Sequence, residues 1–176
     1  CNTGRRCRKN IRKEGEKMGL TSQSVGIKSI DSGLIIKKRN KEDKIIALAG
    51  NPNVGKSTIF NSLTGMKQHT GNWPGKTVAN AQGYCKSKNK SYTLVDIPGT
   101  YSLLAHSPEE EIARNFICFS APDAVVVVCD ATCLEHNLNL VLQTMEITDN
   151  VIVCVNLLDE AKRKGIKINI PLLSEK

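Results

Sequence analysis

Short apolar runs alternate with helix-like segments along residues 45–176. Strands are predicted near residues 45–49, 78–85, 91–95, 124–129 and 150–155, and helices near 56–64, 108–117, 135–147 and from 160 onward. Polar residues 88–90 predict a hairpin between the second and third strands. The remaining alternation of strand and helix is typical of an α/β fold, with a mostly parallel sheet and helices on both faces. In such sheets ligands bind at the carboxyl ends of the strands.

The first 44 residues differ from the rest in charge. They contain 13 Lys and Arg against 5 Asp and Glu, whereas residues 45–176 contain 12 of each. We therefore predict two parts: a basic N-terminal extension over 1–44, largely disordered, with a hairpin or extension over 18–44, and a globular domain over 45–176. A basic arm can contact RNA or anionic lipid, but this one has no aromatic residue on which bases could stack.

Composition places the chain among soluble globular proteins. The 176 residues suffice for one domain, and hydrophobic and charged contents of 40% and 24% are ordinary. The longest apolar run, residues 124–129, is far too short to span a membrane. Seven cysteines, an odd number, favour a reducing cytosol over a disulfide scaffold. Cys129 and Cys133 could form a metal pair, but no nearby His or Cys completes four ligands, and the disfavoured pair leaves Cys129 as a core residue. Three histidines, His69, His106 and His136, could bind a metal ion in principle, but being scattered singly they are expected in surface or loop positions.

A phosphate-binding loop is indicated by the stretch GNPNVGKST at residues 50–58. Gly50, Gly55, Lys56 and Ser57 occupy the fixed positions of the pattern G-x-x-x-x-G-K-S/T, between a predicted strand and a predicted helix. Glycines let successive backbone N–H groups point at a polyphosphate, and the helix N-terminus adds partial positive charge. Lys56 supplies a full charge to the outer phosphates, and the Ser57 hydroxyl can bind Mg²⁺. The spacing and context make a chance match rare.

A second motif, Asp96-Ile97-Pro98-Gly99, follows the third predicted strand. A carboxylate at this strand end can hold Mg²⁺ through a water, and Gly99 can bring its backbone N–H to a γ-phosphate. Without its position the motif would read as a common turn. Asp130 also ends an apolar strand and is a rival for the Mg²⁺ role, as in ATP-using proteins.

Base recognition is predicted after the fifth strand, in Asn156-Leu157-Leu158-Asp159. Guanine presents an N–H and an amino group side by side, and one carboxylate such as that of Asp159 can accept both. Asn156 can bond the base edge and hold the phosphate loop. The alternative is a polar cap on the next helix.

A loop broken by glycine and proline, residues 66–78, lies before the second predicted strand and contains the chain's only tryptophan, Trp73. Thr77 can give Mg²⁺ a second hydroxyl, so the loop is a candidate switch ordered by the ion and the γ-phosphate. The alternative is a surface loop with Trp73 packed down, although a structureless connection of this length is usually functional.

Together these motifs resemble the translation-factor-like P-loop GTPases, and within them the N-terminal G-domain family of ferrous iron transport protein B. The similar stretches are GNPNVGKST, HTGNWPGKTV at 69–78, DIPGTYSL at 96–103, PEEE at 108–111 and NLLDEAKRKGI at 156–166. The resemblance implies a G domain over 45–176, incomplete at its C-terminal end, that hydrolyses GTP for a membrane Fe²⁺ transporter. Hydrolysis would drive or gate uptake.

The resemblance also implies the site residues. Mg²⁺ would be held by Ser57, Thr77 and, through water, Asp96; K⁺ would be held by Asn53; catalysis would involve Lys56, Thr77, Gly99 and Asn53. The residues expected to contact GTP or GDP are Gly50, Asn51, Pro52, Asn53, Val54, Gly55, Lys56, Ser57, Thr58, Gly75, Lys76, Thr77, Asp96, Ile97, Pro98, Gly99, Asn156, Leu157, Leu158 and Asp159.

Intrinsic hydrolysis is expected to be slow, because Thr100 and Tyr101 follow Gly99 where many small GTPases carry a water-orienting Gln. Turnover on the order of 10⁻⁴ to 10⁻² per second and stimulation by K⁺ are expected.

The family pattern implies partners in the same polypeptide: a helical regulatory domain, a transmembrane domain, and the last strand and helix of the G domain. It therefore implies an open sheet edge at the fifth predicted strand, weaker nucleotide binding than in an intact domain, and a place at the cytoplasmic face of the inner membrane. Homo-oligomerisation is open, and nucleic acid is not favoured as a partner. Two alternatives remain at this point: an RNA-binding GTPase of ribosome assembly or tRNA modification, and an ATP-using P-loop protein.

Overall fold

The structure is a computed structural model that describes residues 36, 38, 40, 42–65, 68–73, 78–88, 90–104 and 106–175. The strands are β1 (Lys44–Gly50), β2 (Gln68–Asn72), β3 (Ala79–Ser87), β4 (Lys90–Asp96), β5 (Ala124–Asp130) and β6 (Val151–Asn156). The helices are α1 (Lys56–Thr64), α2 (Pro108–Phe119), α3 (Leu134–Ile147), α4 (Leu158–Arg163) and α5 (Ile170–Glu175), with a 3₁₀ turn over Ala131–Cys133 before α3.

The six strands form one mixed sheet in the order β2-β3-β4-β1-β5-β6. β1 is parallel to both β4 and β5, and β5 is parallel to β6. β3 is antiparallel to both of its neighbours. Among the described strands β6 pairs on one side only, as expected from the family pattern.

Alternate residues of β1 face two hydrophobic cores, one on each side of the sheet. Ala47 and Ala49 pack with Phe116 of α2 and Leu140 of α3. Leu48 faces the opposite side, where it packs with Phe60 of α1. This period of two arises because successive side chains of a strand point to opposite faces. The predicted α/β fold with helices on both faces is confirmed.

Most predicted elements are present at nearly the predicted positions, and the hairpin is confirmed by antiparallel pairing of Ser87 with Lys90. Two expectations differ. Residues 68–72 form an edge strand on β3 inside the predicted structureless connection. The helix expected from residue 160 onward is two short helices, α4 and α5, separated around Gly165, whose φ of 72° does not continue a right-handed helix.

Packing of the domain begins before residue 45, inside the predicted extension. Ile36 is 3% exposed and belongs to the core on the α2 and α3 side of the sheet. Asp43 is also buried, and its carboxylate accepts hydrogen bonds from the Asn40 N–H and the Ser91 hydroxyl. Apart from residues 36, 38, 40 and 42–44, the predicted extension, with Cys1 and Cys7, lies outside the described residues. Within the described part of the chain, no helix is both long enough and apolar enough to cross a membrane.

Candidate functional site

A tight loop connects β1 to α1 at the centre of the sheet. Gly50 lies so close to β5 that an added Cβ would stand 2.7 Å from the Val128 carbonyl oxygen. Gly55 caps the start of α1 with a left-handed φ of 84°, and its carbonyl accepts the first helical hydrogen bond from the Ile59 N–H at 3.1 Å. Asn53 is left-handed as well, with φ of 65°, a conformation that asparagine tolerates better than most residues. The loop therefore depends on both glycines of the phosphate-binding pattern.

Lys56 and Asp96 form an ion pair beside this loop. Asp96 ends β4 in register with Leu48 of the neighbouring β1, which brings its carboxylate to the first turn of α1. The Lys56 and Asp96 side chains are only 11% and 18% exposed. Burial raises the pKa of the Asp96 carboxyl above its ordinary value, and the Lys56 charge and hydrogen bond oppose that rise. A partly buried cation and a partly buried carboxylate are thus held at one strand end, where each can interact with a charged ligand.

Asp130, the rival carboxylate, has a structural partner. Its Oδ1 accepts a hydrogen bond of 2.6 Å from the Thr132 N–H and caps the 3₁₀ turn after β5. Lys56 pairs instead with Asp96. The geometry favours Asp96 over Asp130 as the carboxylate that acts with the phosphate loop.

The segment that follows Asp96 is in direct contact with the phosphate loop. An added Cβ at Gly99 would lie 3.3 Å from the Pro52 backbone, and the Thr100 N–H donates to the Gly50 carbonyl at 3.1 Å. Between Asp96 and Gly99, both Ile97 and Pro98 are buried. The second motif is therefore in contact with the first, as the carboxyl-end rule predicts.

Asn156 connects the base-recognition motif to the phosphate loop. Its side-chain amide donates to the Val54 carbonyl at 2.9 Å. An added Cβ at Gly55 would clash with the same amide nitrogen, so the two segments pack with no space between them. Leu157 is left-handed, with φ of 58°, and turns the chain into α4. Asp159 lies in the first turn of α4 with a side chain 79% exposed, 3.3 Å from Arg163.

Two described residues of the candidate switch loop, Trp73 and Val78, are hydrogen bonded through their main chains. The Trp73 N–H donates to the Val78 carbonyl at 2.8 Å. The Trp73 side chain is 2% exposed and meets Phe116 of α2 edge to face, with ring centroids 5.5 Å apart. Gly75, Lys76 and Thr77 lie outside the described residues, so their assigned roles stay predictions. Trp73 itself is buried in the core. This burial of the Trp73 ring is what the alternative interpretation of the segment, a surface loop, predicted.

The other predicted contacts of the phosphate loop differ in exposure. Ser57, Thr58, Pro52 and Asn53 are exposed, whereas Val54 is buried. Asn51 is buried too, and its Oδ1 has no hydrogen-bond partner. Leu158 is exposed at the start of α4. Among the described residues there is no group of three or more His, Cys, Asp or Glu side chains arranged to hold a metal ion.

Two contacts of the site were not predicted from the sequence. The first is the hydrogen bond from the Thr100 N–H to the Gly50 carbonyl, which joins the second motif to the first. The second is that of Gln143 of α3, whose Oε1 accepts hydrogen bonds from Ser102 and Leu103 just after Gly99. The sequence did offer one sign of this role for Gln143. The residue lies between Leu140 and Ile147 on the core-facing side of α3, where an apolar residue is the norm.

Comparisons with known proteins agree with these motifs. The family model described as ferrous iron transport protein B matches residues 44–176. The Fe(2+) transporter FeoB of Methanocaldococcus jannaschii is 55% identical over 102 residues, which make up 58% of this chain and 15% of the relative. The Fe(2+) transporter FeoB of Escherichia coli K12 is 45% identical over 133 residues, 73% of this chain and 17% of the relative. The chain thus spans less than a fifth of either relative.

A solved structure gives the same result for the fold. The cytosolic domain of the T. maritima FeoB iron transporter in a GDP form superimposes with a TM-score of 0.72 at 42% identity. The match covers 75% of this chain and 52% of that one.

Proposed function

This chain belongs to the ferrous iron transport protein B family, and we propose that it is the GTP-binding and GTP-hydrolysing domain of a membrane transporter for ferrous iron. In this proposal its nucleotide cycle drives or gates Fe²⁺ uptake at the cytoplasmic face of the inner membrane. The relatives named above are transporters, so the RNA-binding alternative is not favoured.

The observation that carries this proposal is the convergence of the second motif and the base-recognition motif on the phosphate loop. Lys56 of the loop pairs with Asp96, the Gly50 carbonyl accepts from Thr100, and the Val54 carbonyl accepts from Asn156. A nucleoside triphosphate has one phosphate end and one base end, and a site for it needs both kinds of contact in fixed relation. The segment of residues 50–55 provides that relation.

The loop carries oxygen ligands of the kind that would suit a magnesium ion, namely the Asp96 carboxylate beside it and the Ser57 hydroxyl. In this proposal the hydroxyl of Thr77, which lies outside the described residues, would join them. When bound, the ion would neutralise charge on the β- and γ-phosphates. Lys56 would bind the phosphate oxygens, and Asp96 would hold the ion through a water.

The hydrogen bonds of Thr100, the residue after Gly99, support the proposal that intrinsic hydrolysis is slow. The Thr100 hydroxyl donates to the Ser102 carbonyl at 2.6 Å, and the Thr100 N–H is bonded to Gly50. With both groups engaged, Thr100 has no free donor with which to orient an attacking water. Catalysis would then depend on positioning by Gly99 and Thr77 and on positive charge at the phosphates.

Stimulation by K⁺ is proposed at Asn53. The residue is exposed in the middle of the loop, and its left-handed backbone turns the chain there. A monovalent cation held by its side-chain oxygen would offset charge that develops between the β- and γ-phosphates, as an arginine finger does.

Nucleotide preference tests the proposal. Calorimetry should detect GTP and GDP binding and a much weaker response to ATP, because Asp159 accepts the two donors of guanine. Asp159→Asn should lower GTP affinity by about a hundredfold, and the matched exposed variant Asp149→Asn should leave it unchanged. A chain that prefers ATP, or an Asp159→Asn variant with full GTP affinity, would refute guanine recognition by Asp159.

A further inference from the structure

The segment from Gly99 to Leu104 is attached to the rest of the protein at two places. At its beginning the Thr100 N–H donates to the Gly50 carbonyl of the phosphate loop at 3.1 Å. At its end the Leu103 N–H donates to Gln143 Oε1 at 2.7 Å, and the Ser102 hydroxyl donates to the same oxygen at 3.2 Å. One side-chain oxygen of α3 thus holds two consecutive residues.

The orientation of the Gln143 amide follows from its partners. A backbone N–H can only donate, so the group facing Leu103 must be the amide oxygen. The Ser102 hydroxyl accepts from the Leu104 N–H at 3.1 Å, which leaves its own hydrogen to be donated to Gln143. Leu103 as a whole is 6% exposed and belongs to the core, so its N–H has little access to water as a substitute acceptor.

Between the two attachments the segment has only local hydrogen bonds. The Thr100 hydroxyl donates to the Ser102 carbonyl and accepts from the Ser102 N–H in a tight turn. Tyr101 and Leu104 are 63% and 67% exposed and add little packing. With no helix or strand in this stretch, its position is set mainly by its two ends.

We propose that Gln143 is a positioning residue for GTP hydrolysis. By holding Ser102 and Leu103, it fixes the segment whose first residue, Gly99, lies against Pro52 of the phosphate loop. It acts through these residues and touches no nucleotide. Backbone donors that meet developing charge must be held in place before the reaction, and a displacement of about 1 Å is costly in rate. This inference rests on the proposed GTPase function.

The test compares three variants of the 176-residue chain. Gln143→Met keeps the length of the side chain and removes the acceptor, whereas Gln143→Glu keeps an acceptor oxygen. Asn139→Met is the matched control, since Asn139 is an exposed amide on the same helix. Each variant is measured for hydrogen exchange at the Leu103 amide, for kcat with GTP, and for GDP affinity.

Gln143→Met removes the acceptor of both hydrogen bonds and should raise Leu103 amide exchange by about tenfold or more and lower kcat by about tenfold or more. GDP affinity should stay within about twofold, because Gly99 is expected to meet the γ-phosphate, which GDP lacks. Gln143→Glu should restore exchange and kcat, and Asn139→Met should change neither. Ser102→Ala removes the longer of the two bonds to Gln143, together with the acceptor of the Leu104 N–H, and keeps the Leu103 bond. It is the second variant if Gln143→Met folds poorly.

The outcomes separate this inference from the proposed function. If the unmodified chain hydrolyses GTP and Gln143→Met has the same kcat, the inference is wrong and the function stands. An equal loss of kcat and GDP affinity would mean that Gln143 serves only general stability, which also overturns it. If the unmodified chain shows no hydrolysis, the proposed function fails and the inference fails with it.

Discussion

Asn156 donates a hydrogen bond from its side-chain amide to the main-chain carbonyl of Val54, at 2.9 Å and across 102 positions of sequence. The bond joins the end of β6 to the phosphate loop. The base-recognition motif and the phosphate loop are therefore structurally coupled through this bond. A substitution that disturbs one segment is expected to disturb the other.

Replacing Asn156 with alanine should weaken nucleotide binding without unfolding the domain. The change removes the donor to Val54 and leaves a partly buried carbonyl without its partner, at a cost of about 1–3 kcal/mol. GTP affinity should fall about tenfold or more, as measured by calorimetry. Asn150→Ala, in the exposed turn before β6, is the control. Unchanged affinity in Asn156→Ala would show that the bond does not support the site.

Gly55→Ala and Gly65→Ala form a matched pair at the two ends of α1. Both glycines are left-handed, with φ of 84° and 59°, so alanine costs about 1–2 kcal/mol of backbone strain at each. Only at Gly55 would the new Cβ clash, with the Asn156 amide. Gly55→Ala should lower GTP affinity more than about tenfold. Gly65→Ala should lower stability alone, and equal affinities for the two variants would contradict the packing described here.

Trp73 should contribute strongly to stability although it lies in a candidate switch loop. Trp73→Ala removes a buried ring in contact with Phe116 and should cost about 3–5 kcal/mol of unfolding free energy. Urea titrations followed by circular dichroism measure this loss. Trp73→Phe should lose less, and Phe119→Ala, at a side chain 40% exposed, should lose under about 1 kcal/mol. A cost for Trp73→Ala no larger than that of Phe119→Ala would place the loop outside the core.

Cys129 should make the domain less stable at alkaline pH. Burial, with smaller effects of Cys154 and Cys133, raises the pKa of this thiol from 9.0 to about 12. Above pH 9 the unfolded chain loses this proton while the folded chain keeps it. The unfolding free energy should therefore fall between pH 9 and 12, by up to about 1.4 kcal/mol per pH unit from this group.

The matched variants for this pH dependence are Cys129→Val and Cys133→Ser. The first removes the buried thiol and should flatten the decline. The second changes an exposed thiol and should leave the decline in place. Burial also raises the pKa of the Cys85 and Cys154 thiols, so a smaller slope should remain in Cys129→Val. An identical slope in the unmodified chain and Cys129→Val would refute the assignment.

The sequence pattern was sufficient to predict the strands and helices in which several local signals agreed. β1 and α1 carry an apolar run, two glycines at fixed spacing and a helix start, and both lie where predicted. β2 was missed because its sequence, QHTGN, has no apolar alternation; it is a strand because it pairs with β3. The division between α4 and α5 depends on the turn at Gly165, and an isolated glycine does not by itself end a helical pattern.

The candidate site was predictable to the extent that it follows from strand ends. Asp96 and Asn156 were placed near the phosphate loop because the carboxyl ends of parallel strands meet at one edge. The partners of Gln143 and Trp73 were not predictable, since Leu103 and Phe116 belong to distant segments and only tertiary packing brings them into contact.

The outer strand β6 has a consequence for handling the protein. Among the described strands it is hydrogen bonded on one side only, and Ile152 on it is 55% exposed. Unpaired edges of this kind recruit strands from other molecules. Concentrated solutions of the chain should therefore precipitate unless a further polypeptide segment shields that edge.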